Sequence, residues 1–143
     1  MIVRLTEQAG ETIYQHGEDD YPCECCGFLI GTRKDGIREI TEVRRQPNRR
    51  GDSQETRYLI RPEEFRDAER YAKESGQEML GIYHSHPDHP ARPSEYDREH
   101  AWPWYAYLIL SVQSGKAADL YGWQLRDDRS GFDEIALKFD TTE

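Results

Sequence analysis

Residues 79–97, Met-Leu-Gly-Ile-Tyr-His-Ser-His-Pro-Asp-His-Pro-Ala-Arg-Pro-Ser-Glu-Tyr-Asp, leave the chain few ways to fold. The first part reads as a strand. Two-residue alternation puts Leu80, Ile82, His84 and His86 on one face, with Met79, Gly81 and Tyr83 on the other. An apolar strand that ends in two same-face imidazoles presents both to one point at the sheet's edge. Pro87, Pro90 and Pro93 then exclude regular structure, so residues 87–93 form a stiff loop. Ser94 is a good N-cap for a following helix, with Asp97 at its third position, and Ser94-Glu95-Tyr96-Asp97 also matches a capping box. That helix start can return Asp97 to the two imidazoles. Two histidines and a carboxylate, with a fourth position open, are the ligand count of a catalytic zinc site. Asp88 and His89 could also ligate on composition alone.

The remaining elements alternate around this stretch. Ile2 to Leu5 can form a short strand or a lead-in, and Thr6 caps a helix with Leu5, Ala9 and Ile13 on one face and Gly17 as its stop. Cys26 to Ile30 reads as a buried strand closed by Gly31, and Lys34-Asp35-Gly36 as a hairpin turn into a strand holding Ile37, Ile40 and Val43. Residues 44–56 are polar, with Arg44, Arg45, Arg49 and Arg50 around Pro47 and Gly51. They read as a solvated loop, or as a cationic patch for an acidic partner. Tyr58 to Ile60 is expected as a further strand, and Pro62 opens a helix with Phe65, Ala68 and Ala72 inward and Gly76 at its end. The apolar run Tyr105 to Val112 suits a strand covered on both faces, while Leu120 to Leu125 and Ile135 to Phe139 alternate around the turn Asp127 to Gly131. Trp102, Trp104 and Trp123 read as core or rim packing. Together the elements make one layered α/β domain over residues 1–143.

Bulk properties narrow the partners. A net charge of −9 argues against nucleic acid or an anionic membrane surface. No segment has the length of a membrane span or a secretory h-region, which points to the cytoplasm. Cys23, Cys25 and Cys26 are odd in number and crowded, as suits reduced thiols.

His84-Ser85-His86-Pro87, followed after seven residues by Ser94-Glu95-Tyr96-Asp97, resembles the signature of the JAMM (MPN+) zinc metallopeptidases. A second element far upstream, Glu24-Cys25-Cys26-Gly27 leading into Phe28-Leu29-Ile30, resembles the family's Glu-x-Cys-Gly segment. The resemblance implies a curved, mixed β-sheet flanked by helices, similar to the cytidine deaminase architecture. It implies one zinc ion per chain held by His84, His86 and Asp97, with Glu24 as general base and Ser94 as donor to the oxyanion. Of the carboxylates near the histidines, Asp97 alone matches the family spacing. Asp88 and His89 belong at the rim, and His100, one turn beyond Asp97, could bond to it. His16-Gly17-Glu18 with Pro22 to Cys26 mimics the zinc deaminase pattern, but Asp19 to Tyr21 leave no room for that pattern's second helix.

The compact length resembles the prokaryotic branch of the family. That branch implies hydrolysis of an amide bond after the Gly-Gly tail of a ubiquitin-like, β-grasp sulfur carrier protein. A broader isopeptidase acting on ubiquitin-like conjugates, and a catalytically silent MPN scaffold, are the alternatives. The intact Glu24, His84, His86, Ser94 and Asp97 set speaks against the scaffold.

Overall fold

Among the described residues, seven strands and three helices follow one another as β1 (Ile2–Thr6), α1 (Glu7–Asp20), β2 (Cys26–Lys34), β3 (Ile37–Gln46), α2 (Pro62–Glu74), β4 (Glu78–Pro87), α3 (Glu95–His100), β5 (Ala106–Gln113), β6 (Lys116–Leu125) and β7 (Phe132–Asp140). This computed structural model describes residues 1–140; the last three residues of the domain expected over 1–143 lie outside it. The sheet order is β1-β3-β2-β4-β5-β6-β7, and β1 pairs with β7. The curvature expected of the sheet therefore runs to closure. The sheet is mixed: β1 is parallel to β3 and β7, β4 is parallel to β5, and the other neighbours are antiparallel.

Side-chain alternation sends the strands into two cores. Leu29, Tyr83, Leu108 and Leu110 pack with Ala9 and Ile13 of α1, while Phe28, Ile82 and Tyr107 pack with Ala68 and Phe65 of α2. The Thr6 hydroxyl caps α1 by accepting from the Ala9 N–H at 3.1 Å, a contact worth about 1 kcal/mol. α1 continues past Gly17 to Asp20, so that glycine does not stop it. It lies against the sheet instead, with a Cβ there falling 2.5 Å from Leu110 Cδ2. Among the described residues no helix is long and apolar enough to cross a membrane.

β4 carries the histidines and departs from simple alternation. It pairs with β2 so that Leu29 faces Gly81 and Ile30 faces Met79, leaving Leu80 as an extra residue. This bulge turns Leu80 into the α1 core beside Tyr83, away from the Ile82, His84 and His86 face on which strict alternation puts it. The strand also runs on through Pro87, because β5 pairs with it as far as Pro87 opposite Val112. Tyr58 to Ile60, expected as a strand, are irregular. The Leu59 N–H goes to the Asn48 side chain at 3.2 Å and not to a neighbouring strand.

Gly81 sits where β5 approaches most closely: a Cβ there would lie 2.1 Å from the Ala106 carbonyl oxygen. Gly81→Ala must part the β4–β5 ladder just before the histidines. We expect a loss of about 2–3 kcal/mol, measured as the shift in urea unfolding midpoint at unchanged slope.

Candidate metal centre

β4 is flanked by β2 and β5, and its residues 79–87 are all buried. Side-chain rotation of His84 and His86 is thus restricted by packing on both sides. The His84 ring stacks on Tyr58, centroids 4.6 Å apart, and is 1% exposed. His86 Nδ1 lies 2.9 Å from the Pro90 carbonyl oxygen. A proton on Nδ1 donates there and leaves the Nε2 lone pair free. The proline-rich loop therefore orients a candidate ligand as well as linking two elements.

α3 delivers the carboxylate. The Ser94 hydroxyl accepts from the Asp97 N–H at 3.1 Å, and the Ser94 N–H donates to Asp97 Oδ2 at 2.8 Å, closing the expected capping box. Asp97 then meets both rings: Oδ1 is 3.3 Å from His84 Nε2, and Oδ2 is 3.2 Å from His86 Nε2. The two Nε2 atoms are 3.2 Å apart. His84, His86 and Asp97 each offer one ligand atom within 4.8 Å of the others.

This donor set fits a divalent ion. Tetrahedral zinc with bonds of about 2.0–2.1 Å needs ligand atoms about 3.3 Å apart, close to the separations found. Electrostatics agree. Burial lowers the basicity of His84, and the imidazoles hold the Asp97 carboxyl far below the usual carboxylate range despite its burial. Glu24 is 4% exposed. Burial first, then the Asp97 charge, pushes its carboxyl up to about 9. A cation held by the trio would offset that charge.

Glu24 precedes β2 and shares a cavity of about 300 Å³ with Ser94, His86, His89, Thr56 and Arg92. A second cavity, of about 400 Å³, opens on the Asp97 side. It is aromatic, with Tyr58, Phe65, Tyr96, Trp102, Trp104 and Tyr105 in its wall. Asp97 lines the recess with the aromatic wall, and His86 lines the one that carries Glu24, Ser94, Thr56, His89 and Arg92. Trp102 and Trp104 form the apolar rim, stacked on each other at 5.2 Å and about half exposed.

The other candidates fall elsewhere. Asp88 accepts from Tyr21 Oη–H and the Ser114 N–H, which turn it toward the β5–β6 hairpin. His89 reaches the polar cavity. His100 does not bond to Asp97; its Nδ1 lies 2.8 Å from the Tyr96 carbonyl oxygen and its ring stacks on Tyr96. His16 is buried inside α1, between Tyr83 Oη at 2.7 Å and Asp20 Oδ2 at 3.2 Å. Cys25 and Cys26 lie in the two cores, and all three thiols are free.

Residues 44–46 end β3, and the rest of the 44–56 segment is irregular with no buried residue, as a solvated loop would be, but its arginines do not form an open cationic patch. Arg44 lies over Tyr71, Arg45 pairs with Asp19, Arg49 with Glu64 and Arg50 with Asp52. Asn48, which sequence reasoning passed over, donates to the Glu24 carbonyl. A polar amide in a polar segment carries no periodic signal that could have marked it.

The family of prokaryotic homologs of the JAB domain matches residues 6–126. A desampylase of Haloferax volcanii is 34% identical over 112 residues, spanning 75% of this chain and 78% of that protein. Solution structures from Desulfitobacterium hafniense (TM-score 0.84, 30% identity, 98% of this chain and 94% of that one) and Salinibacter ruber (0.75, 39%, 98% and 93%) share the architecture. A JAB/MPN domain protein from Archaeoglobus fulgidus shares the fold alone (0.60, 19%, 95% and 97%). With family-wide likeness over most of its length, this chain belongs to the prokaryotic JAB/MPN family and is a hydrolytic enzyme of the JAMM type.

Proposed function

We propose that this enzyme is a zinc metallopeptidase that hydrolyses the amide bond after the C-terminal Gly-Gly of a small ubiquitin-like, β-grasp sulfur carrier protein. The observation that carries the reading is the meeting of His84, His86 and Asp97 beside a cavity that holds both Glu24 and Ser94. Zinc bound by that trio supplies a Lewis acid that makes water more acidic and polarises the scissile carbonyl.

The chain's own residues do the rest. Glu24 accepts a proton from the attacking water and passes it to the departing amine, so the leaving group belongs on the polar side of the trio. The Ser94 oxygen is already an acceptor for the Asp97 N–H, which leaves its own hydrogen for the oxyanion that develops on the carbonyl. The aromatic cavity on the Asp97 side suits the acyl part of the substrate.

The relative's name, desampylase, denotes removal of an attached modifier and favours a second reading: an isopeptidase on ubiquitin-like conjugates, with a lysine amine as leaving group. Zinc-loaded enzyme offered carrier proteins bearing a C-terminal cysteine, a short peptide or a lysine adduct separates the two. Mass spectrometry of the products identifies the bond cut. Uncut substrates across the whole panel would sink both readings.

The purified protein should hold about one zinc per chain, and His84→Ala none, by elemental analysis. Glu24→Gln should keep the metal while kcat falls by about 10²–10⁴. Turnover at the wild-type rate would remove the general-base role. Ser94→Ala should lose about 1 kcal/mol of stability through the cap. It should also lose about 3–4 kcal/mol of transition-state stabilisation, read from kcat. An undiminished kcat would leave Ser94 with capping alone.

A further inference from the structure

Glu24 lies in no helix or strand, so no ladder holds its backbone. The segment between β3 and α2 holds it instead. The Glu24 N–H donates to the Gln54 carbonyl at 2.7 Å, and the Glu24 carbonyl accepts from Asn48 Nδ2 at 3.1 Å. Asn48 Nδ2 also donates to the Arg57 carbonyl at 3.0 Å, while Asn48 Oδ1 accepts from the N–H groups of Arg50 at 3.0 Å and Leu59 at 3.2 Å. A primary amide has two N–H groups and two lone pairs, and here all four are engaged. The Arg49 N–H donates to the Leu59 carbonyl at 2.9 Å, closing a neck at residues 48–59. Inside the neck, Gln54 Nε2 donates to the carbonyls of Asn48 and Arg50. The segment is an Ω-like strap folded by its own amides.

The strap's other contacts reach the helix that bears Asp97. Arg50 Nη1 donates to Tyr96 Oη at 3.3 Å, and the Arg57 guanidinium lies over the Tyr96 ring at 4.8 Å. Tyr96 precedes Asp97 on α3, and Ser94 caps that helix. One strap therefore touches both halves of the centre: the segment carrying Glu24, and the helix carrying Asp97 and Ser94.

We propose that Asn48 is a positioning residue for Glu24, fixing its backbone and closing the strap that sets it against α3. This rests on the reading of Glu24 as general base. A base out of hydrogen-bond reach of the attacking water loses rate steeply, since an error of about 1 Å costs on the order of a hundredfold. Asn48 works through Glu24 without touching substrate, so its loss should fall on kcat and leave KM and the metal alone.

A double-mutant cycle tests this. Asn48→Ala should lower kcat about 10–100-fold with KM within about twofold, and in the Glu24→Gln background the same change should cost less than about twofold. Elemental analysis should still show zinc in each variant. Asn48→Asp is the second variant. It keeps the acceptor bonds to Arg50 and Leu59 and sets an acceptor oxygen against the Glu24 and Arg57 carbonyls in place of the donor. It should lose at least as much kcat as Asn48→Ala while the Leu59 amide stays protected from hydrogen exchange and the Glu24 amide loses protection. Equal fold-losses in both backgrounds, an unchanged kcat, or a Glu24 amide as protected in Asn48→Ala as in the wild type would each overturn the proposal. A wild-type enzyme silent on every substrate, with the Glu24 amide still quickening in Asn48→Asp, would locate the failure in the proposed hydrolysis and leave the clamp standing.

Discussion

Two imidazole nitrogens and a carboxylate, 3.2–3.3 Å apart and largely shielded from water, form a donor cluster suited to a cation. Burial penalises every charged form in such a place, so the scaffold has to hold the ligands against their preference for water. The construction around the cluster follows from that. β4 is paired on both sides and buried along its length, which prevents the histidines from turning outward. The Pro90 carbonyl takes one ring's outer nitrogen, and the Ser94 amide takes one of Asp97's oxygens. Two of the three candidate ligands are thus aimed by a hydrogen bond to a neighbour outside the trio, while His84, whose Nδ1 has no hydrogen-bond partner among the described residues, is held by its stacking on Tyr58.

The same arrangement divides the surface into two recesses of different chemistry. On the Asp97 side the wall is aromatic; on the Glu24 side it carries Ser94, His89, Thr56 and Arg92. Under the proposed function, an acyl part in the aromatic recess would leave the departing amine on the Glu24 side, which gives that reading a direction. The strap strengthens the picture, since Glu24 would otherwise sit on an irregular segment with freedom to drift.

Much of the centre was legible in the chain itself. The alternation of Ile82, His84 and His86, the three prolines, and the cap at Ser94 are local rules, each acting over a few residues. So is the hairpin at Asp35 and Gly36, both with positive φ. What escaped was set by contacts between distant segments. Leu80 changes face because β2 imposes a bulge. Residues 58–60 forgo a strand because an asparagine eleven positions before Leu59 takes that residue's N–H. His100 turns to Tyr96, one turn back, and not to Asp97.

The sequence by itself determined which residues could serve as metal ligands and, through strand period and helix cap, that three of them could converge. It did so because those preferences are local and need no partner. Only the tertiary structure decided the separations between those ligands, the entry of Glu24 into a cavity shared with Ser94, and the use of Asn48 to hold it. Those outcomes depend on β2, the strap and α3 meeting in space, and hydrogen-bond geometry between remote segments leaves no periodic trace along a chain.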